Sequence, residues 1–132
     1  MSYVLIVDDD PDGCEIIHRF LQQSHINSRF APNGHEALRE LLLETPDAVI
    51  LDVRMPEMDG ISLLEVLRSY LRWDQLPVVI VTAHANREQL DRAAELGVNH
   101  IFQKSNLQLP DLLSCLQHLM PPQVGTPRRS NN

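Results

Sequence analysis

Acidic side chains crowd at a few points of this chain, and two of those points follow directly on apolar runs. Tyr3-Val4-Leu5-Ile6-Val7 ends in Asp8, Asp9 and Asp10, with Asp12 just beyond, and Ala48-Val49-Ile50-Leu51 ends in Asp52. A third run, Val78-Val79-Ile80-Val81, ends in the hydroxyl of Thr82, and a shorter fourth, His100-Ile101-Phe102-Gln103, ends in Lys104. Carboxylates are the hard oxygen ligands that Mg²⁺ takes, one or two at a time. A carboxylate can also attack a phosphoryl group and hold it as an acyl phosphate, once a cation brings the two anions together. That transfer asks a protein mainly for positioning and charge stabilisation, which a lysine and a hydroxyl can supply.

Each of these residues alone has a plainer explanation. Asp52 would be a turn acid, Thr82 a helix cap or strand residue, and Lys104 a solvated charge. Asp8-x-Asp10-x-Asp12-Gly13 matches the first half of an EF-hand calcium loop, but Arg19 stands where the bidentate glutamate belongs. Position carries the argument instead. Unbroken apolar runs of this length suit strands of a parallel sheet covered on both faces. In open α/β sheets ligands gather beyond the carboxyl ends of the strands, so parallel strands here bring several acids, a hydroxyl and one lysine to a single rim.

The segments between the runs have helical spacing. Pro11 suits a first helical position with Asp10 as N-cap, and Ile16, Ile17, Phe20 and Leu21 follow, ending a first helix near Gln23. A short strand around Ser28 to Phe30 leads to Asn33-Gly34 and a second helix marked by Ala37, Leu38, Leu41 and Leu42, which Thr45-Pro46 ends. Gly60 opens a third helix through Leu64, Leu67 and Leu71, and Pro77 starts the next strand. A fourth helix spans about 86–96 and stops at Gly97, a residue suited to positive φ. Leu109, Leu112, Leu113, Leu116, Leu119 and Met120 form the stripe of a last helix packed on a sheet. Five alternating pairs predict an α/β, doubly wound (βα)5 sandwich with right-handed crossovers and helices on both faces.

The 132 residues fit one domain with a real core. A net charge of -7 argues against direct nucleic-acid binding, which calls for a basic face. No stretch approaches the roughly 18 to 20 apolar residues of a membrane span, and no secretion signal opens the chain, so the expected location is the cytoplasm. Cys14 and Cys115 show no metal-ligand spacing and read as small apolar residues on helices. Residues 1–120 are expected to form the domain. Residues 121–132, Pro-Pro-Gln-Val-Gly-Thr-Pro-Arg-Arg-Ser-Asn-Asn, lack apolar periodicity and read as a flexible tail or linker stub.

From about Tyr3 to Met120 the chain resembles the CheY-like receiver domains of two-component response regulators. The resemblance rests on Asp8-Asp9, Asp52 with Met55-Pro56 and Asp59-Gly60, Thr82-Ala83, Gly97 and Lys104, in that order and at those strand positions. It implies a flavodoxin-like sheet of order 2-1-3-4-5, and a phosphoryl group taken onto Asp52 from the histidine of a sensor kinase or phosphotransfer protein. By the same resemblance, Mg²⁺ is held by Asp9, Asp52 and the backbone carbonyl of Arg54, with Asp8 acting through water. Lys104 then stabilises the phosphoryl group and Thr82 donates its hydroxyl to it. The inward move of Thr82 rearranges the surface of helix 4, strand 5 and helix 5, where a downstream target, an output domain or a second copy docks.

Arg54 and His84, each two residues beyond a site residue, stand where the family tunes the lifetime of the phosphoryl group. The six histidines are scattered, which suits an acceptor better than a donor, and the resemblance implies a switch that assists its own phosphorylation and dephosphorylation, not an enzyme in its own right. Glu57 and Asp59 are expected to solvate or cap the loop before helix 3, with Met55 and Met58 packing beneath it. Two positions depart from the family: Ser105 follows Lys104 where proline is usual, and Ile101 stands where an aromatic usually rotates on activation. A cis bond before serine costs about 3 kcal/mol, so a trans bond is expected there, and alternation points Phe102 to the opposite face from Ile101. Two other readings keep the same residues: a docking module that signals without phosphorylation, and a small Mg²⁺-dependent phosphatase suggested by Asp8-x-Asp10, for whose cap elements the chain looks too short.

Overall fold

The computed structural model describes residues 2–121. Its elements run β1 (Val4–Val7), α1 (Pro11–Gln23), β2 (Ser28–Ala31), α2 (Gly34–Leu43), β3 (Ala48–Leu51), α3 (Gly60–Arg68), β4 (Val78–Thr82), α4 (Arg87–Glu95), β5 (His100–Gln103) and α5 (Leu109–Leu119), with a 3₁₀ turn over Lys104–Asn106. All strands are parallel, in the order β2-β1-β3-β4-β5. The expected sheet and its alternation with helices are therefore present. The tail expected over 121–132 lies outside the described residues, Pro121 apart.

The three central strands β1, β3 and β4 are buried along their whole length, whereas the edge strands β2 and β5 are partly exposed. That is why the central strands read as unbroken apolar runs. Their side chains divide between two cores. Leu5, Val7, Val49, Leu51, Val78 and Ile80 meet Ala37, Leu41, Leu63, Leu64, Leu67 and Ala93 of α2, α3 and α4. Val4, Ile6, Ala48, Ile50, Val79 and Val81 meet Cys14, Ile17, Leu21, Leu112 and Leu116 of α1 and α5. Ile101 packs on the first core and Phe102 on the second, the opposite faces that alternation requires.

Side-chain caps fix where four of the helices begin. The side chain of Asp10 accepts from Asp12 N, Asn33 from Glu36 N, and Asp59 from Ser62 N. Asn86 and Gln89 form a reciprocal capping box on α4. Helix α3 is shorter than its apolar spacing suggests: it ends at Arg68, and Leu71 is 92% exposed. The chain turns there because Trp73 is drawn into the core and its indole N–H donates to Thr45 Oγ1 at 3.2 Å. Cys14 is buried and Cys115 half-buried. Gly97 has φ 74, the left-handed conformation expected after α4. No described peptide bond is cis, Lys104 to Ser105 included. Among the described residues no helix is long and apolar enough to cross a membrane.

Candidate functional site

In-register pairing aligns the carboxyl ends of the strands. Val7 lies opposite Ala31 and Leu51, and Thr82 opposite Gln103. The ladder continues one residue further, Asp8 N donating to Ala31 O at 3.1 Å and Asp52 N to Val7 O at 2.9 Å. Asp8 and Asp52 are thus held by backbone, one step past the sheet, and both are buried at 6% exposure, with Asp9 exposed beside them. Gly60 closes the loop that follows Asp52: its N–H donates to Val53 O at 2.8 Å, and a Cβ there would run into the Asp52 carbonyl. Only glycine lets α3 start this close to the strand end.

The Asp52 carboxylate has a partner on each oxygen. Oδ1 accepts from Thr82 Oγ1 at 2.9 Å and from Arg54 N at 3.4 Å, and Oδ2 lies 3.5 Å from Lys104 Nζ. The Thr82 hydroxyl is also 3.2 Å from the His84 carbonyl. With one proton, it serves one of these acceptors at a time. Lys104 sits closer to Asp8, with Nζ at 2.7 Å from Oδ2, while Asp8 Oδ1 accepts from Asp10 N at 3.0 Å.

Burial pushes the Asp8 carboxyl above its ordinary value, and the charge of Asp52 adds to this; the Lys104 and Asp10 hydrogen bonds oppose it without prevailing. Burial alone would depress the Lys104 ammonium, but the hydrogen bond and charge of Asp8, with those of Asp52, hold it above its ordinary value. The two partners therefore differ: the lysine gains from the pair, whereas Asp8 is governed by its burial among acids. Cys14, whose thiol reaches the Asp8 carbonyl at 3.6 Å, is pushed up to about 12 by burial and by the charges of Asp8 and Asp10. It is a packed thiol, not a reactive one.

Carboxylate oxygens of Asp8, Asp9 and Asp52 lie within 4.8 Å of one another. That donor set, all hard oxygen, fits Mg²⁺ and offers nothing to a soft metal. A cleft of about 460 Å³ opens beside it, lined by Asp9, Val53, Arg54, Met55, Asp59 and Gln89. On the other side of Thr82 a groove of about 450 Å³ is lined by His84, Ala85, Leu90, Ala94 and Ile101, among others. The structure thus brings Asp8, Asp9, Asp52, Thr82 and Lys104 together, and sets Arg54 and His84 exposed on either side. Glu57 stands away from the acids with φ 68, its carboxylate 3.8 Å from His35 Nε2. Gln89 was given no role from sequence. The signal for it was the Asn86-x-x-Gln89 spacing, which caps α4 and places Gln89 in the cleft wall.

A doubly wound sheet with an acid cluster, a threonine and a lysine at its carboxyl rim is the arrangement that the resemblance to receiver domains implied. Residues 4–117 match the family model of the response regulator receiver domain, and the chain belongs to that family. It is 32% identical over 117 residues to the response regulator MprA of Mycolicibacterium vanbaalenii, covering 89% of this chain and 49% of that protein. It is 36% identical over 94 residues to the DNA-binding transcriptional regulator NtrC of Salmonella typhimurium, covering 71% of this chain and 20% of NtrC. The chain thus spans half or less of these regulators. Among solved structures, the chemotaxis protein CheY4 of Vibrio cholerae superposes with a TM-score of 0.82 at 26% identity, over 91% of this chain and 99% of that one.

Proposed function

We propose that this receiver domain accepts a phosphoryl group on Asp52 from the phosphohistidine of a sensor kinase or phosphotransfer protein, with Mg²⁺ as the required cation. The observation that carries this reading is the environment of Asp52: a buried carboxylate with the Thr82 hydroxyl at 2.9 Å and the Lys104 ammonium at 3.5 Å. In the transfer a carboxylate oxygen forms the new O–P bond as the P–N bond breaks, and the imidazole leaves with the electron pair. Asp8, Asp9, Asp52 and the Arg54 carbonyl would hold the Mg²⁺, which neutralises charge on the phosphoryl oxygens when bound. The backbone of the strand end aims the Asp52 carboxylate, and Lys104 meets the negative charge that gathers beside it. Thr82 transfers its hydrogen bond to the phosphoryl oxygens. Arg54 and His84 flank the group and set the access of water to it.

The switch is then a local charge event biasing a two-state element. Thr82 and Ile101 line one groove against α4, so repositioning Thr82 is transmitted to the α4, β5 and α5 surface, where a downstream protein, an output domain or a second copy docks. Residues 1–120 act as the receiver and 121–132 as tail or linker, in the cytoplasm, with no outside substrate turned over and no direct contact to nucleic acid or membrane. The test is intact mass after incubation with acetyl phosphate and Mg²⁺. A labile gain of one phosphoryl group that disappears in Asp52→Asn and without Mg²⁺ is expected. Unchanged mass with that donor and with a partner kinase would sink the proposal.

One observation favours a docking module that works without phosphorylation. Thr82 already lies on Asp52, and the groove beside it is bounded by Ile101 instead of a rotating ring. Partner binding indifferent to Asp52→Asn would select that alternative.

A further inference from the structure

Six large hydrophobic side chains are exposed among the described residues, and four of them meet at one corner of the fold. Leu42 and Leu43, in the last turn of α2, are 62% and 78% exposed; Tyr70 and Leu71, in the turn after α3, are 55% and 92% exposed. Arg72 ties the two segments together. Its Nη2 lies 3.3 Å from both Leu41 O and Leu42 O, and its Nε donates to Thr45 Oγ1 at 3.1 Å. The helices run back from the carboxyl rim of the parallel sheet, so these helix ends lie at its amino end, away from Asp52.

Packing within the fold accounts for none of the four. The core face of α2 is Gly34, Ala37 and Leu41, and Leu43 stands about 200° round the helix from Leu41. Single exposed leucines are ordinary, but a contiguous group is not. Together the four expose on the order of 600 Å², the upper end of what the largest apolar patch on a monomer shows. A standard interface takes about 800 Å² from each partner, and Arg39, Arg72 and Asp74 around the patch supply the difference.

The two ends of the patch carry opposite charges. Arg39 precedes Leu42 and Leu43 by three and four residues, which puts it beside both; its side chain is 76% exposed, and its tie to Glu36 at 3.4 Å is open to exchange. Asp74 follows Leu71 on the other side, in a cleft with Arg68, Gln75 and Glu95. Arg72, between them, already has its charge engaged by three oxygens. A surface that is basic at one end, apolar in the middle and acidic at the other is complementary to itself after a half-turn, as the isologous contact of a two-fold dimer requires. We propose that this corner binds a second copy of the chain. Leu42 and Leu43 of each copy meet Tyr70 and Leu71 of the other, and each Arg39 faces Asp74 of the second copy. The contact leaves the carboxyl rim and the α4 surface uncovered and forms without phosphorylation.

The test is sedimentation equilibrium of the full chain. The wild type is expected to dimerise with a Kd on the order of 10 μM, the strength of a small interface. Leu43→Glu and Leu71→Glu alter positions the fold leaves exposed, and each should weaken the dimer at least about 10-fold by placing an unpaired charge in the contact. Arg39→Glu and Asp74→Arg should each weaken it as well, whereas an equimolar mixture of these two folded variants should pair at wild-type strength, because every facing pair is then of opposite sign. A wild type that stays monomeric up to about 1 mM, a dimer indifferent to Leu43→Glu and Leu71→Glu, or a mixture that pairs no better than its components would overturn the inference. So would a monomer that binds phosphatidylglycerol vesicles and loses that binding in Leu71→Glu, which would give the patch to a membrane surface instead.

Discussion

Two half-buried cations sit at opposite ends of this sheet and are satisfied in opposite ways. At the carboxyl rim Lys104 meets carboxylates, Asp8 at 2.7 Å and Asp52 at 3.5 Å. At the other end Arg68, in the last turn of α3, meets only neutral carbonyls. Its Nε donates to Leu96 O at 2.7 Å, Nη1 to Trp73 O at 3.1 Å and Leu76 O at 2.8 Å, and Nη2 to Gly97 O at 3.3 Å. Burial holds the Arg68 guanidinium below its ordinary value, only partly offset by the charge of Asp74. Backbone carbonyls have nowhere to go, so Arg68 is a fixed staple joining the loops before β4 and β5. Carboxylates can take another hard cation in place of an ammonium, so the partners of Lys104 are able to accept a substitute. A buried charge serves structure or switching according to whether its partners accept a substitute.

The largest effect expected from breaking this contrast is on stability. Arg68→Met takes the guanidinium from four carbonyls of two loops at once, of which Trp73 O keeps the Leu76 N–H and Gly97 O is open to water, and losing partners of this kind in a half-buried place costs about 2 to 4 kcal/mol. The urea midpoint should fall accordingly, while the Mg²⁺ affinity proposed for the far rim stays as it was. A variant with unchanged stability would mean that water replaces the guanidinium without cost, and the staple reading would fail.

Sequence displayed one end of this comparison and hid the other. Asp8, Asp52, Thr82 and Lys104 were legible because each ends or follows an apolar run, and the pleat and register do the rest. Which acid the ammonium rests on was not legible, because Asp8 and Lys104 are 96 residues apart and their meeting depends on side-chain reach past the two strands between them, β3 and β4. Arg68 left no trace, since the groups it binds are backbone carbonyls, the same in every sequence. The misplaced end of α3 has a related cause. Leu71 continues the helical spacing, but burial of Trp73 outweighs it, and no local pattern shows which side chain the core will take.

A smaller effect, opposite in sign, is expected at the rim. Folding raises the Asp8 carboxyl, so the folded state binds its proton more readily than the unfolded chain. Stability from this group is present below the ordinary carboxylate range, near pH 4, and lost as pH rises through the raised value. Ionised Asp8 is thus a cost at neutral pH. Asp8→Asn keeps the oxygen that accepts from Asp10 N, removes the charge, and leaves Lys104 with Asp52. Its melting temperature should exceed that of the wild type at neutral pH by a few degrees, and the gain should shrink as pH is lowered toward 4. A variant less stable than the wild type throughout would show that the Lys104 pair outweighs burial.

The smallest effect should come from a third cation, which tests whether burial is what gives the other two their weight. Arg92 bridges α3 and α4 through Glu65 at 3.0 Å and also meets Glu95 at 3.1 Å. These distances match those at the rim, but the side chains are 45% and 46% exposed in the first pair and 45% and 66% in the second. Water and salt compete for every partner there, and holding long side chains in place consumes what the Coulomb attraction yields. Arg92→Ala should move the unfolding midpoint barely beyond measurement error, and that remainder should vanish in about 1 M salt, where the screening length falls to about 3 Å. The Lys104 and Asp8 pair, shielded by its burial, should respond far less to salt over the same range. Should Arg92→Ala prove as damaging as Arg68→Met, distance and not burial would set the weight of these contacts, and the contrast between rim and staple would lose its basis.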